Sequence, residues 1–175
     1  MKLDDISTIS FRVLPHDLDL NFHMNNGRYL TLMDLGRLDL TVRTGLLGAF
    51  FKNKWQPLVA SETIRFRRAL APFQKFDLST RFIGWQNHWL FMEQIFIADS
   101  EIVAVAYVKA VFKSKKGKVN GEEIAKALNI PAKSKDPGSF IDKWLEFEHD
   151  SKSSYYEVEQ RRTKVELKNK DKTEK

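Results

Sequence analysis

The sequence predicts an α+β fold in which a curved antiparallel sheet wraps around one long helix. Three observations lead to this prediction. A long helical pattern starts near Asn26, period-two alternation of apolar and polar residues fills residues 57–113, and short polar connections divide that region into strands. Strands joined by tight turns pair with their neighbours, and an apolar helix buries its surface by packing on such a sheet.

Length and composition are those of a globular protein with one main domain. The chain has 175 residues, of which 42% are hydrophobic and 30% charged, so a sizeable core can form. It contains no cysteine, which excludes disulfides, cysteine-bound zinc and a cysteine nucleophile.

The charge pattern indicates no specialised partner. The net charge is +6, and much of the excess lies at residues 113–118 and 164–175, which we interpret as a solvated turn and tail. Basic residues interleaved with aromatics are not found there, so we expect no nucleic-acid partner. The N-terminal residues do not resemble a signal peptide, and no stretch approaches the ~20 apolar residues of a membrane span. We therefore expect a cytoplasmic protein without stable membrane insertion.

The first half of the chain predicts a strand, a polar loop and the central helix. Residues 6–14 alternate as a strand that ends at Pro15, and residues 15–25 form an irregular connection. Asn25 or Asn26 is suited to cap the helix, which we expect to end near Gly45 or Gly48. Its apolar residues recur at helical spacing, so we expect it to be largely buried: Tyr29, Leu32, Met33, Gly36 and Leu40.

Four strands are predicted next, at residues 57–68, 75–85, 88–98 and 102–113. Glu62 falls on the apolar face of the first of them, where a carboxylate is costly to bury unless it is paired. The edges of the sheet need a cover or a partner. Joining two sheets edge to edge would satisfy them, so we expect a homodimer or a dimer of dimers.

The C-terminal part predicts two helices, at residues 121–128 and 139–149, separated by a linker at 131–138. From these patterns we divide the chain into a main domain at 1–118, a helical extension packed on it at 119–150, and a charged tail at 151–175. We expect the last dozen residues of that tail to be mobile.

The stretch from Asp17 to Tyr29 concentrates the groups that could carry chemistry. Two carboxylates, one histidine and several amides lie directly before the predicted central helix. Loops on a rigid scaffold often hold active sites, and the free N–H groups of a helix N-terminus suit a developing oxyanion. We interpret Asp17 as a loop cap and leave His23 open between a structural role and acid–base chemistry.

This stretch resembles the signature of 4-hydroxybenzoyl-CoA thioesterase-like hotdog proteins, within the acyl-CoA thioesterase-like superfamily. The matching pattern is D-x-D, then H-x-N-N and a tyrosine, followed on the helix by Asp34-Leu35-Gly36-Arg37. The exact motif sequences, Asp-Leu-Asp-Leu and His-Met-Asn-Asn, are most similar to the subgroup around thioesterase superfamily member six, as are residues 65–68 and Gly84-Trp85 downstream. The resemblance covers about residues 8–115 and implies a hotdog fold.

The resemblance also implies an activity, the hydrolysis of acyl-CoA to a free acid and CoA at a dimer-interface site. Asp19, the second Asp of D-x-D, matches the family's catalytic carboxylate, which attacks the thioester or activates a water. We expect no metal and no resident cofactor, CoA being part of the substrate. The substrate-binding candidates are His23, Asn25, Asn26, Tyr29, Glu62 and Arg67. Related hotdog groups use a carboxylate on the central helix, where this chain has Asp34, although its spacing to Arg37 also fits a helix ion pair.

Two departures keep other functions open. Phe22 stands where many members have glycine, and Asn26 stands where some relatives have a basic histidine. Both favour a non-catalytic acyl- or lipid-binding hotdog protein as the main alternative. Enoyl-thioester hydration on the same fold is a weaker match, because its pattern D-x-N-P-x-H lacks the proline here and His23 comes one residue early.

Overall fold

The computed structural model describes residues 1–131 and 136–173, apart from the side chains of residues 152–155, 157 and 164–173. Parts of the predicted linker and the last residues of the predicted tail therefore lie outside the described residues. The chain divides into two compact units, Met1–Asp136 and Pro137–Lys175.

Among its described residues, the first unit contains six strands, three α-helices and a single 3-10 turn at Pro15–Asp17. In chain order the strands and α-helices are β1 (Ser7–Arg12), α1 (Asn26–Arg43), α2 (Leu46–Asn53), β2 (Gln56–Phe66), β3 (Lys75–Gln86), β4 (Trp89–Ala98), β5 (Glu101–Ser114), β6 (Gly117–Lys118) and α3 (Gly121–Ala127). The sheet has the order β1-β3-β4-β5-β2, with β6 paired to β5, and every pairing is antiparallel. The predicted α+β class and the β3–β4–β5 meander are therefore confirmed.

The start of α1 follows the predicted capping. The Asn25 side chain accepts a hydrogen bond from the backbone N–H of Gly27, as an N-cap residue does. The helix ends at Arg43, and Gly45 follows in the left-handed region with φ 77°, which glycine adopts without steric cost. Helix α2 was not predicted, because its eight residues are too few to show a helical period.

One face of α1 packs on the sheet, and Gly36 sets how closely it approaches. A β-carbon on Gly36 would lie 2.5 Å from Thr80 Oγ1 and 2.8 Å from Gln94 Nε2. The core on this face consists of large apolar side chains from α1 and the sheet, among them Met33, Leu78 and Phe96. The missing side chain at position 36 therefore allows direct contact between helix and sheet.

The opposite face of α1 is apolar but exposed, which corrects the expectation of a largely buried helix. Leu35, Leu38 and Val42 are spaced by three and four residues and are each about half exposed. Leu58 and Val59 of β2 are similarly exposed, and β2 pairs only with β5 among the described residues. We call these five residues the α1–β2 apolar surface.

Helix α3 belongs to the first unit, although we had expected it in a C-terminal extension. Its Ile124 and Ala125 are buried in a second core cluster that also contains Phe50, Trp85 and Phe112. Asn120 caps the helix, and Glu123 completes the capping box.

The second unit consists of helix α4, Ser139–Thr173. The predicted end near His149 is wrong, since the helix continues across the boundary that we had drawn at residue 151. The added sequence is rich in Glu, Lys and Arg, which have high helix propensity even without an apolar stripe. No helix in the described residues is long and apolar enough to cross a membrane.

Candidate active site

The candidate catalytic carboxylate, Asp19, lies in a tight turn. The N–H of Phe22 donates to Asp19 O (3.1 Å), and the N–H of Asp19 donates to His23 O (2.8 Å). Asp19 Oδ1 accepts from the N–H groups of Asn21 (2.8 Å) and His23 (3.2 Å). No group in the described part of the chain bonds to Oδ2. One carboxylate oxygen therefore holds the turn, and the other is available to a substrate or a water.

Asp17 fastens this turn to the first unit, as its predicted role as a loop cap requires. It is buried, its Oδ2 accepts from the N–H of Leu14 (2.8 Å), and its Oδ1 accepts from Arg28 Nε (2.6 Å). Its carbonyl also accepts from the N–H of Asn25 (2.8 Å). Because Arg28 belongs to the first turn of α1, these bonds lock the Asp19 turn against the N-terminus of the helix.

The first turn of α1 leaves one backbone N–H unbonded among the described residues, the kind of group that can donate to an oxyanion. The N–H of Gly27 donates to the capping side chain of Asn25, and the N–H of Arg28 donates to Asn25 O (2.9 Å). The N–H of Asn26 has no acceptor within the described residues. It is the first N–H of the helix, where the helix dipole favours negative charge.

The predicted substrate-binding residues are not all brought together. His23, Asn26 and Arg67 are exposed, while the Asn25 side chain is occupied as the helix cap. Tyr29 lies in the core rather than on an open surface. Its ring packs edge-on against the rings of Phe66 and Phe96, with ring centroids 5.0 Å and 4.9 Å apart.

Burial of Tyr29 also affects its hydroxyl. Desolvation raises the pKa of Tyr29 to about 12, although a hydrogen bond with the backbone of Leu70 acts in the opposite direction. The hydroxyl is therefore neutral at physiological pH and is not placed to exchange protons with a substrate.

Glu62 forms a second polar group with residues of α1. Arg37 Nη1 lies 2.7 Å from Glu62 Oε1, and Arg37 Nη2 pairs with Asp34. The side chain of Arg37 is only 11% exposed and that of Glu62 is 20% exposed, so this pair is largely removed from water. Glu62 is thus paired, as a carboxylate on the apolar face of a strand requires, although the register of β2 shifts between Val59 and Ser61.

Gln94 orients this polar group, and the sequence analysis did not identify it. Its Oε1 accepts from Arg37 Nη1 (2.9 Å), and its Nε2 donates to Met33 O (2.9 Å) and Thr80 Oγ1 (3.0 Å). Gln94 is completely buried. A glutamine at an inward position of a strand pattern was the available signal, since a buried amide needs partners.

A mainly apolar cavity of 260 Å³ opens beside this polar group. Asp34 and Arg37 line it together with leucine, valine and phenylalanine side chains from α1, α2 and the sheet. Asp19 does not line it, and Asn26 and Asp34 are eight residues apart on α1, or about 12 Å along the helix axis. Within one chain, the turn carboxylate and the apolar cavity are therefore separate.

Comparison with known proteins identifies the family to which this chain belongs. A profile of the thioesterase-like superfamily matches residues 13–145. Protein THEM6 from Xenopus laevis is 42% identical over 86 residues, which cover 49% of this chain and 42% of that protein. Protein THEM6 from Danio rerio is 36% identical over 110 residues, which cover 63% of this chain and 52% of that protein. The chain thus spans about half the length of these curated relatives.

The fold has close counterparts among solved structures. The probable thioesterase YbaW from Escherichia coli superposes with a TM-score of 0.65 at 19% identity, covering 69% of this chain and 95% of that one. At this identity the likeness concerns the fold, which is the hotdog fold that the sequence motif had predicted. By its match to this sequence profile over residues 13–145, the chain belongs to the thioesterase-like superfamily.

Proposed function

We propose that this protein hydrolyses acyl-CoA thioesters, with Asp19 as the reacting carboxylate, at a site completed by a second copy of the chain. The observation that carries the proposal is the Asp19 turn. One oxygen of the carboxylate is fixed by two backbone N–H groups, and the other is left available directly before the N-terminus of α1.

Two routes are compatible with this arrangement. Asp19 can attack the thioester carbon, displace the CoA thiolate and form a mixed anhydride that water then hydrolyses. Alternatively, it accepts a proton from a water that attacks the same carbon, and the collapse of the tetrahedral intermediate releases the thiolate. In both routes the carbonyl oxygen becomes negative, and the unbonded N–H of Asn26 is the donor that we assign to it.

The proposed dimer rests on the α1–β2 apolar surface. Five apolar side chains lie half exposed on a helix face and a neighbouring sheet edge, where they favour association. A second copy that pairs along β2 would cover this surface, and because Leu38, Leu58 and Val59 also line the apolar cavity, the cavity would then lie between the two copies. The Arg67 side chain, exposed after β2, is suited to the phosphates of CoA.

Thiol release from acyl-CoAs of varied length tests the catalytic role of Asp19. An asparagine at this position retains the oxygen that accepts from Asn21 and His23, so the turn should survive while the charge is lost. We expect Asp19→Asn to lower kcat by about 10²–10⁴-fold. The competing variant is Asp34→Asn, which removes the exposed carboxylate of the other candidate position. Unchanged turnover in Asp19→Asn, or a loss confined to Asp34→Asn, would contradict the proposal.

A second candidate function is acyl binding without hydrolysis. It is favoured by the two hydrogen bonds on Asp19 Oδ1 and by the large exposed side chain of Phe22, whose φ of 57° places it in the turn beside the carboxylate. In that case acyl-CoA would bind to the purified protein, and neither the wild type nor Asp19→Asn would release thiol.

A further inference from the structure

Two cavities of the first unit meet at Leu3 and Phe82. The 260 Å³ cavity beside Arg37 and a second cavity of 570 Å³ have both side chains in their walls. The second cavity is also lined by Trp85 and by the four residues from Leu128 to Pro131. Leu3 and Phe82 are therefore the two side chains that the smaller and the larger cavity share.

Leu3 is held in this place by the chain around it. The N–H of Asp5 donates to Lys2 O (3.2 Å), and the N–H of Lys2 donates to Asp5 Oδ2 (2.7 Å), so residues 2–5 form a closed turn. Just after it, the hydroxyl of Ser7 donates to Asp39 on α1. Leu3 is only 7% exposed. A side chain fixed in this way can act as a wall rather than as a mobile plug.

The lining of the smaller cavity indicates the chemistry of its ligand. Leucines, Phe50 and Phe112 form most of the wall, while Asp34 and Arg37 are its charged groups. The single positive charge of Arg37 already faces Asp34 and Glu62, two carboxylates. A bound carboxylate would add a third negative charge, so the cavity favours an aliphatic chain with a neutral head over one with a carboxylate.

The volume limits the length of that chain. A water-sized group takes up roughly 30 Å³, and a methylene is similar in size, so 260 Å³ holds about nine such groups. We propose that this cavity binds a medium-chain aliphatic acyl group of roughly eight to ten carbons, and that Leu3 and Phe82 form the end wall that limits its length. This inference rests on the proposed function, since it specifies the acyl group of the same substrate.

Binding of alkyl-CoA thioethers with 4–16 carbons tests the wall without requiring turnover, because a thioether has no carbonyl to hydrolyse. For the wild-type protein, we expect affinity to rise about fourfold per methylene up to roughly ten carbons and then to level off or fall. Leu3→Ala should move this limit up by roughly two to four carbons, since it removes several carbon atoms from the wall. Leu3→Phe should move the limit down. A limit that is the same in all three proteins would overturn the inference.

The control is Ile6→Ala, which shortens an exposed apolar side chain outside both cavities and should leave the limit unchanged. Melting temperatures of all variants identify any that fail to fold, and Phe82→Leu then provides the second test of the wall. If the length limit shifts as expected while no variant hydrolyses acyl-CoA, the end wall stands and the catalytic proposal fails.

The preference for a neutral head group is tested with decanol and decanoate, which both have ten carbons and differ in the charge of the head group. Decanol should bind more tightly to the wild-type protein, and tighter binding of decanoate would contradict the argument from Asp34 and Glu62.

Discussion

Replacing Gly36 by alanine would test whether direct contact between α1 and the sheet holds the fold together. The new β-carbon would lie 2.5 Å from Thr80 Oγ1, 2.8 Å from Gln94 Nε2 and 2.9 Å from Leu78 Cδ2. All three neighbours are fully buried, so none can swing into solvent. The helix must move outwards, or the hydrogen bond between Gln94 and Thr80 must break.

The expected magnitude combines two opposing effects. Overpacking of a filled core costs about 1–3 kcal/mol, and a lost buried hydrogen bond adds about 1 kcal/mol. Alanine in place of glycine in a helix raises the free energy of unfolding by up to about 1 kcal/mol, because alanine has the higher helix propensity. We therefore expect Gly36→Ala to lower the free energy of unfolding by about 1–3 kcal/mol and the melting temperature by roughly 2–10 °C.

Urea denaturation followed by circular dichroism measures this change, and Gly48→Ala is the matched control. Gly48 lies in helix α2, and a β-carbon there would meet nothing within 4 Å. The control should therefore gain about 0.5–1 kcal/mol from helix propensity alone. If Gly36→Ala were as stable as the wild type, or gained stability as the control does, the close contact between helix and sheet would be refuted.

Three further predictions concern polar residues. Arg37→Met should cost about 2–4 kcal/mol in urea denaturation because Glu62 loses its buried partner, whereas Arg43→Met, at an exposed helix pair, should cost less than about 1 kcal/mol. Asn25→Ala should cost about 1 kcal/mol in the same assay through loss of the α1 cap, and an unchanged midpoint would contradict the capping geometry. Burial, and then the charges of two nearby lysines, lower the pKa of His88. As the pH falls, the unfolded chain therefore binds a proton at His88 before the folded chain does. Stability should therefore fall as pH drops below about 6.5, and His88→Gln should make that fall shallower in thermal melts at a series of pH values.

Local sequence patterns predicted most of the regular structure of the first unit. The cap at Asn25 and the alternation along β3, β4 and β5 depend on neighbouring residues, so they are visible in the sequence. Helix α2 and the two-residue strand β6 are too short to show a period. The end of α4 was missed because the absence of an apolar stripe was taken as the end of the helix, although charged residues also form helices well.

The candidate site also has one part that the sequence predicted and one part that it did not. The Asp19 turn is formed by residues within one short stretch, and the D-x-D and H-x-N-N motifs identified it. The polar group around Arg37 joins α1, β2 and β4, which are far apart in the sequence. Gln94 could not be assigned to it beforehand, since its partners depend on strand order and on how closely Gly36 lets the helix approach.

The sequence by itself determined the fold class, the family and the position of the turn carboxylate, because each depends on periodicity or on a contiguous motif. Only the tertiary structure decided that Tyr29 is a core residue, that Arg37 is balanced by two carboxylates, and that Leu3 lies between two cavities. The physical reason is that burial, charge balance and cavity walls arise from residues distant in the chain. Their positions follow from the packing of α1 against the sheet, which no local pattern specifies.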